Sequence, residues 1–185
     1  MLASKSVLMP IDIQQAFDDP FWGRRNNPEM ERKALALIAA WRGAGRPVVN
    51  VKHNSVEANS PLRPERRGNA FKPGFGPRDG EALVEKTVNA AFIGTGLEAD
   101  LRKEEIEQIV VFGFTTDKCV STTVRVGSNL GFEVLVVADA CATFDLKTRD
   151  RQTIPAEVVH RVHLTTLNTE FARVVDSPAI LSALG

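Results

Sequence analysis

Tyrosine is absent from the 185-residue chain, which removes phenol-based acid or base catalysis. Only two cysteines are present, Cys119 and Cys141. They are too few for a disulfide framework in a domain of this size, so both read as reduced thiols. An excess of charge of one sign is also lacking: 23 Lys and Arg are matched by 23 Asp and Glu. No global field therefore points to nucleic acid or to an anionic membrane, and the expected partner is a small molecule. No apolar run is long enough to span a bilayer, and Met1 to Lys5 lead straight into a strand with no apolar targeting segment. A cytoplasmic protein is expected. The length suits a single α/β domain over residues 1–185, large enough to bury most of its apolar surface.

What is present alternates between strand and helix patterns. Val7, Leu8, Met9 and Ile11 predict a first buried strand ending at Asp12, followed by a polar loop with Gln14, Gln15, Asp18 and Asp19. Pro20 to Pro28 reads as an irregular loop, and the next helix runs through Leu35, Leu37, Ile38 and Trp41 until Gly43 and Gly45 stop it. Pro47 to Lys52 is the second strand, with His53 at its end. Residues 54–80, rich in proline, glycine and arginine, read as a long ordered loop, of the kind that carries function or covers an interface. Glu81 to Asn89 is strand-like and contains Lys86; Gly94 to Lys103 is a helix; Ile109 to Phe112 is an uninterrupted β-branched run, as in a strand buried on both faces. A helix follows Cys119, then a strand from Glu133 to Ala138, a helix from Pro155 to Leu167 and a last strand from Phe171 to Val175. This alternation implies a doubly wound, mainly parallel sheet with helices on both faces, a Rossmann-like three-layer architecture.

Three reactive side chains fall at matching places: Asp12 after the first strand, Lys86 after the long loop, and Cys119 after the central strand. The ends of neighbouring parallel strands converge in space. A thiol at a helix mouth faces unpaired N–H groups and the positive end of the helix dipole, which lowers its pKa. A carboxylate within reach can take and return the thiol proton, and an ammonium can hold the charge, which makes Asp12 the candidate base and Lys86 its counter-charge. On spacing alone, an Asp after a strand is more often a helix cap, and a Lys near an apolar run is usually a solvated surface charge.

Three stretches in order carry a resemblance: Ile11-Asp12-Ile13-Gln14 with Phe17, Glu85-Lys86 followed by Asn89-Ala90-Ala91-Phe92, and Gly113-Phe114-Thr115-Thr116-Asp117-Lys118-Cys119-Val120. Together they resemble the signatures of the isochorismatase-like cysteine hydrolases, and the likeness extends from about Val7 to Val175. The resemblance implies a six-stranded doubly wound fold and a catalytic triad of Asp12, Lys86 and Cys119. It also implies a cis Phe114–Thr115 peptide and an oxyanion hole made by the Thr115 and Cys119 amides. Members that cleave the vinyl ether of isochorismate lack the cysteine, so Cys119 favours attack at a carbonyl through a thioester. The nicotinamidase branch carries a metal cluster just after the second strand, where this chain offers only His53, and one imidazole does not make a metal site. No metal and no cofactor are expected.

Phe17, His53 and Phe114 are the candidate substrate-binding residues; Trp22 and Phe144 are further candidates for the pocket wall. For His53 the alternatives are a hydrogen bond to substrate or anchorage of the long loop. His160 and His163 read as an ordinary, partly exposed pair, and Cys141 as a packed structural thiol following a strand. The basic run Arg63, Arg66, Arg67, Lys72 and Arg78 either attracts a carboxylate-bearing substrate or is solvated. The expected activity is hydrolysis of a small amide, imide or ureido compound by a homo-oligomer (dimer or tetramer). The alternatives are a silent binding or scaffold protein, a thiol redox protein using Cys119 with Cys141, nicotinamidase, or isochorismatase proper.

Overall fold

In a computed structural model that describes residues 2–185, six parallel strands form one sheet in the order β3-β2-β1-β4-β5-β8. They are β1 (Ser6–Ile11), β2 (Val49–His53), β3 (Ala82–Lys86), β4 (Gln108–Phe114), β5 (Glu133–Ala142) and β8 (Arg173–Val175). β1 and β4 are buried along their whole length, which explains why their sequences are apolar without alternation. A small antiparallel hairpin, β6 (Leu146–Lys147) with β7 (Thr153–Ile154), stands apart from the sheet.

Among the described residues, four α-helices lie between strands, α1 (Met30–Gly43), α2 (Leu97–Lys103), α3 (Ser121–Asn129) and α4 (Ala156–Glu170), and α5 (Ser177–Leu184) follows the last strand. α1 packs with α5, and α3 with α4, so the sheet is covered by two helical layers. α1 buries Met30, Ala34, Leu37, Ile38 and Trp41, a helical-period stripe, against the sheet. α3 lies close to β4 because residue 127 is glycine: a Cβ there would stand 2.9 Å from Ile109 Cδ1.

Three features depart from the sequence reading. β5 does not end at Ala138 but continues to Ala142, with a bulge in its pairing to β4 between Val111 and Gly113. Cys141 therefore lies inside a strand opposite Gly113 rather than after one. Gly113 itself adopts φ +130°, and a Cβ would stand 2.1 Å from the Ile11 carbonyl oxygen, so only glycine fits between β1 and the bulge. The third is α5, which the sequence reading lacks. Its start is held by a residue 38 positions away, with the Ser177 N–H donating to Asp139 Oδ1 at 2.7 Å and the Ser177 hydroxyl to Oδ2 at 2.7 Å.

Residues 54–80 are the ordered loop expected, and polar side chains tie it down. Gln14 Nε2 donates to the carbonyls of His53 and Asn69, at 3.0 and 2.8 Å, and Asn69 Nδ2 donates to Leu62 O at 2.8 Å. Lys72 is buried between Asp18 and Glu31, which also pairs with Arg25. Among the described residues no helix is long and apolar enough to cross a membrane.

Candidate active site

Parallel pairing places the ends of β1, β2, β3 and β4 side by side, with Ile11 level with Val51 and Gly113, and His53 level with Lys86. Asp12 follows β1 in a left-handed turn, φ +51°, and its N–H donates to the Val51 carbonyl at 3.0 Å. That turn directs its carboxylate toward β3, where Lys86 Nζ donates to Asp12 Oδ2 at 2.7 Å with both side chains fully buried. The other oxygen, Asp12 Oδ1, is buried without a hydrogen-bond partner. An unpaired carboxylate oxygen in the interior is a strong acceptor, and the Cys119 thiol is a donor beside it.

Cys119 comes from the other side of the site. The chain leaves β4 through a cis Phe114–Thr115 peptide and enters one π-helical turn, Thr116–Val120, in which the Val120 N–H donates to Thr115 O at 3.2 Å. α3 begins only after this turn. Single-letter reading places the thiol at the mouth of a helix; the structure places it inside a wider turn, 8% exposed. A carboxylate oxygen of Asp12, a ring nitrogen of His53 and the Cys119 sulfur all lie within 4.8 Å of one another. The sulfur also approaches Asn89 Oδ1 at 3.6 Å.

This placement reverses one expectation. Burial pushes the Cys119 thiol well above its ordinary range, and the Asp12 carboxylate adds to the rise, while Lys86 opposes it. Loss of water around sulfur outweighs the helix-end field because the thiolate would be the second anion in a closed space. The shift is in the direction that favours the thiol over the thiolate. Alkylation of Cys119 by iodoacetamide is expected to be slow at pH 7 and to rise continuously through pH 9, because a raised pKa keeps the thiolate fraction small below it. A rate that levels off below pH 7 would mean a depressed pKa instead. Cys141, fully buried and pushed up to about 12 by burial, stays unlabelled in the folded protein.

Thr115 and Cys119 open onto a cavity of about 530 Å³ with Phe17, Trp22, His53 and Lys118 among its other lining residues. Phe17 stacks on Phe114 at 4.6 Å between centroids, and Trp22 and Phe144 complete the aromatic cluster. Phe114 is fully buried beneath Phe17 and does not face the cavity; it supports the wall that Phe17 presents. Of the basic run, Lys72 is consumed in ion pairs and Arg63 pairs with Glu65, whereas Arg66 and Arg67 line a neighbouring cavity of about 490 Å³.

Four residues of the site had little or no role in the sequence reading. Asn89, adjacent to the thiol, stood in the second motif without an assignment. Gln14 Oε1 accepts from the His53 N–H at 2.9 Å and pins the end of β2. His160, read as an ordinary helix residue, meets Thr116 Oγ1 at 2.8 Å through Nδ1 and so braces the turn that carries Cys119, while His163 does not join it. Asp117 is held from two sides, by Lys118 at 2.8 Å and by the Thr143 hydroxyl. Apart from the adjacent Asp117–Lys118 pair, these contacts join residues 26 to 44 positions apart, which no local pattern encodes.

Among the described residues, Asp12, His53 and Cys119 are the one group whose donor atoms converge as a metal site would require. The Lys86 ammonium, however, is already bonded to Asp12 Oδ2 and stands 3.0 Å from His53 Nδ1. A fixed positive charge among the donors does not suit a resident cation.

Residues 6–178 match the family described as the isochorismatase domain. The chain belongs to the isochorismatase family. An uncharacterized isochorismatase family protein of Bacillus subtilis (strain 168), YrdC, is 37% identical over 98% of this chain and 97% of its own length. A crystal structure of a putative hydrolase of the family from Chromobacterium violaceum superposes with a TM-score of 0.95, at 45% identity, covering 100% of this chain and 96% of that one. Relatives named for an activity are the ureidoacrylate amidohydrolase of Methylobacterium radiotolerans, 28% identical over 97% of this chain and 80% of that one, and nicotinamidase 3 of Arabidopsis thaliana, 32% over 97% and 88%. The protein is an isochorismatase-family hydrolase with an α/β three-layer fold and a six-stranded parallel sheet.

Proposed function

We propose that the protein is a cysteine-dependent amidohydrolase that cleaves a C–N bond of a small amide, imide or ureido compound through a thioester. The observation that carries this reading is the buried, unpartnered Asp12 Oδ1 beside a thiol, with the other carboxylate oxygen committed to Lys86. A cavity of about 530 Å³ admits a small substrate. The ureidoacrylate amidohydrolase relative supports the bond class. The nicotinamidase relative supports an amide as well, but around the end of β2, where that branch carries its metal cluster, this chain has His53 as its one histidine.

In this reading Asp12 Oδ1 takes the Cys119 proton as sulfur attacks the carbonyl carbon. The oxyanion forms against the Thr115 and Cys119 amides. Protonated Asp12 then gives its proton to the departing nitrogen; the C–N bond breaks, and ammonia or an amine leaves a thioester on Cys119. Asp12 next removes a proton from water as hydroxide adds to the thioester carbonyl, and it returns that proton to sulfur as the C–S bond breaks, which releases the acid and restores the thiol. Lys86 balances the negative charge at each stage. Because the shift at Cys119 favours the thiol, proton transfer to Asp12 accompanies attack rather than preceding it.

The test is incubation of the protein with a panel of small amides, imides and ureido compounds, reading ammonia or amine release and the mass of the Cys119 peptide. Release together with an acyl adduct on Cys119 is the expected result. Neither signal across the panel would favour a binding or scaffold protein on the same fold.

A further inference from the structure

Beyond lining the cavity and accepting at its carbonyl from Asn69 of the long loop, His53 makes a side-chain contact that its place in the sequence does not suggest. It ends β2 beside Lys86 at the end of β3, and its Nδ1 stands 3.0 Å from Lys86 Nζ while the same ammonium lies 2.7 Å from Asp12 Oδ2. An ammonium carries three N–H donors and no acceptor. In the contact between Lys86 and the ring, the hydrogen therefore belongs to the lysine and the lone pair to Nδ1. This makes His53 a neutral imidazole with its proton on Nε2, and the backbone of Val88 is the ring's other hydrogen-bonding neighbour. Burial first, then the Lys86 charge, hold the ring below the usual imidazole range, which agrees with that assignment.

The three N–H bonds of an ammonium are tetrahedrally disposed, so committing two of them directs the third. Asp12 takes one and His53 a second. The Cys119 sulfur lies within 4.8 Å of ligand atoms of both these partners, and Lys86 acts on it. Taking the catalytic set proposed above as its basis, we infer that His53 is a positioning residue: by accepting one hydrogen from Lys86, it aims the remaining N–H at the Cys119 sulfur. A lysine held only by Asp12 would rotate about its terminal bond and present that N–H to sulfur only part of the time. The support around His53 suits this role. Its N–H donates to Gln14 Oε1 at 2.9 Å and its carbonyl accepts from Gln14 Nε2 at 3.0 Å, so the backbone is fixed independently of the ring.

The test compares His53→Ala and His53→Asn with the wild type on an amide that the wild type hydrolyses, together with the nitrogen NMR spectrum of the His53 ring in the unaltered protein. Asparagine places an oxygen acceptor the same number of bonds from the backbone as Nδ1. The expected result is a kcat about tenfold to a hundredfold lower in His53→Ala, the range for residues that orient a reacting group. KM should stay near the wild-type value, His53→Asn should recover most of the loss, and the ring proton should reside on Nε2. A wild-type kcat in His53→Ala, an asparagine variant no better than alanine, or a ring proton on Nδ1 would each overturn the inference. Absence of any amide turnover in the wild type would instead sink the functional reading, and the ring spectrum would then decide the hydrogen bond by itself.

Discussion

Replacing Cys119 by alanine is expected to lower turnover of any amide the protein hydrolyses by about 10⁴-fold or more, the scale seen when a nucleophile acting as part of a unit is removed. The acyl adduct should vanish with it. The fold should not suffer in proportion, because alanine deletes one buried sulfur and leaves the Asp12–Lys86 pair in place. Asp12→Asn is the companion variant. Asparagine is among the few side chains that tolerate the left-handed backbone of residue 12, so the turn survives while the proton acceptor is lost. If the two variants act through one proton transfer, the double variant should be hardly slower than the slower single one. A Cys119→Ala protein that still turned over amide at the wild-type rate would exclude the thioester route.

Lys86→Met is expected to be the most damaging change to stability at the site. Methionine fills much of the space of the lysine stem, but it leaves the Asp12 carboxylate fully buried with no counter-charge. Removing one partner of a buried pair costs about 3–5 kcal/mol, because the remaining charge keeps its desolvation penalty and loses its compensation. Urea denaturation of Lys86→Met should show that loss as a lower midpoint at unchanged slope. Combining it with Asp12→Asn removes the stranded charge, so the pair should recover about 0.5–3 kcal/mol relative to the sum of the single effects. Additive losses would mean that the 2.7 Å contact contributes little as a pair. Activity should fall in Lys86→Met even at temperatures where the variant is fully folded, since nothing else among Asp12, His53 and Cys119 supplies positive charge.

Much of the fold was legible because buried parallel strands advertise themselves. Val7 to Ile11 and Ile109 to Phe112 are apolar on both faces, and such runs have few other uses in a soluble domain. The end of β5 was misread for the same local reason: Asp139 looks like a strand terminator, yet its carboxylate is compensated by Lys33 and by the start of α5, both distant in sequence. α5 itself opens on Asp176, Ser177 and a proline in its first turn, but its eight residues are too few and too uniformly apolar to show a contrast of faces. Phe114 was placed in the substrate wall because aromatic residues near a nucleophile often stand there, but the stacking of Phe17 above it is a tertiary fact.

The sequence by itself determined the alternation of strand and helix, and with it the convergence of Asp12, Lys86 and Cys119 at one edge of the sheet. Chain order and strand periodicity are local properties, and parallel pairing turns them into position. Only the tertiary structure decided how deeply Cys119 is buried and which charges stand beside it. Whether Cys119 rests as thiol or thiolate depends on how much water the surrounding loops exclude and on which charges remain beside it. Whether His53 serves substrate, loop or lysine depends on a 3.0 Å contact between the ends of two strands. Burial and electrostatics are sums over neighbours brought together by folding, so they cannot be read from the residues one at a time.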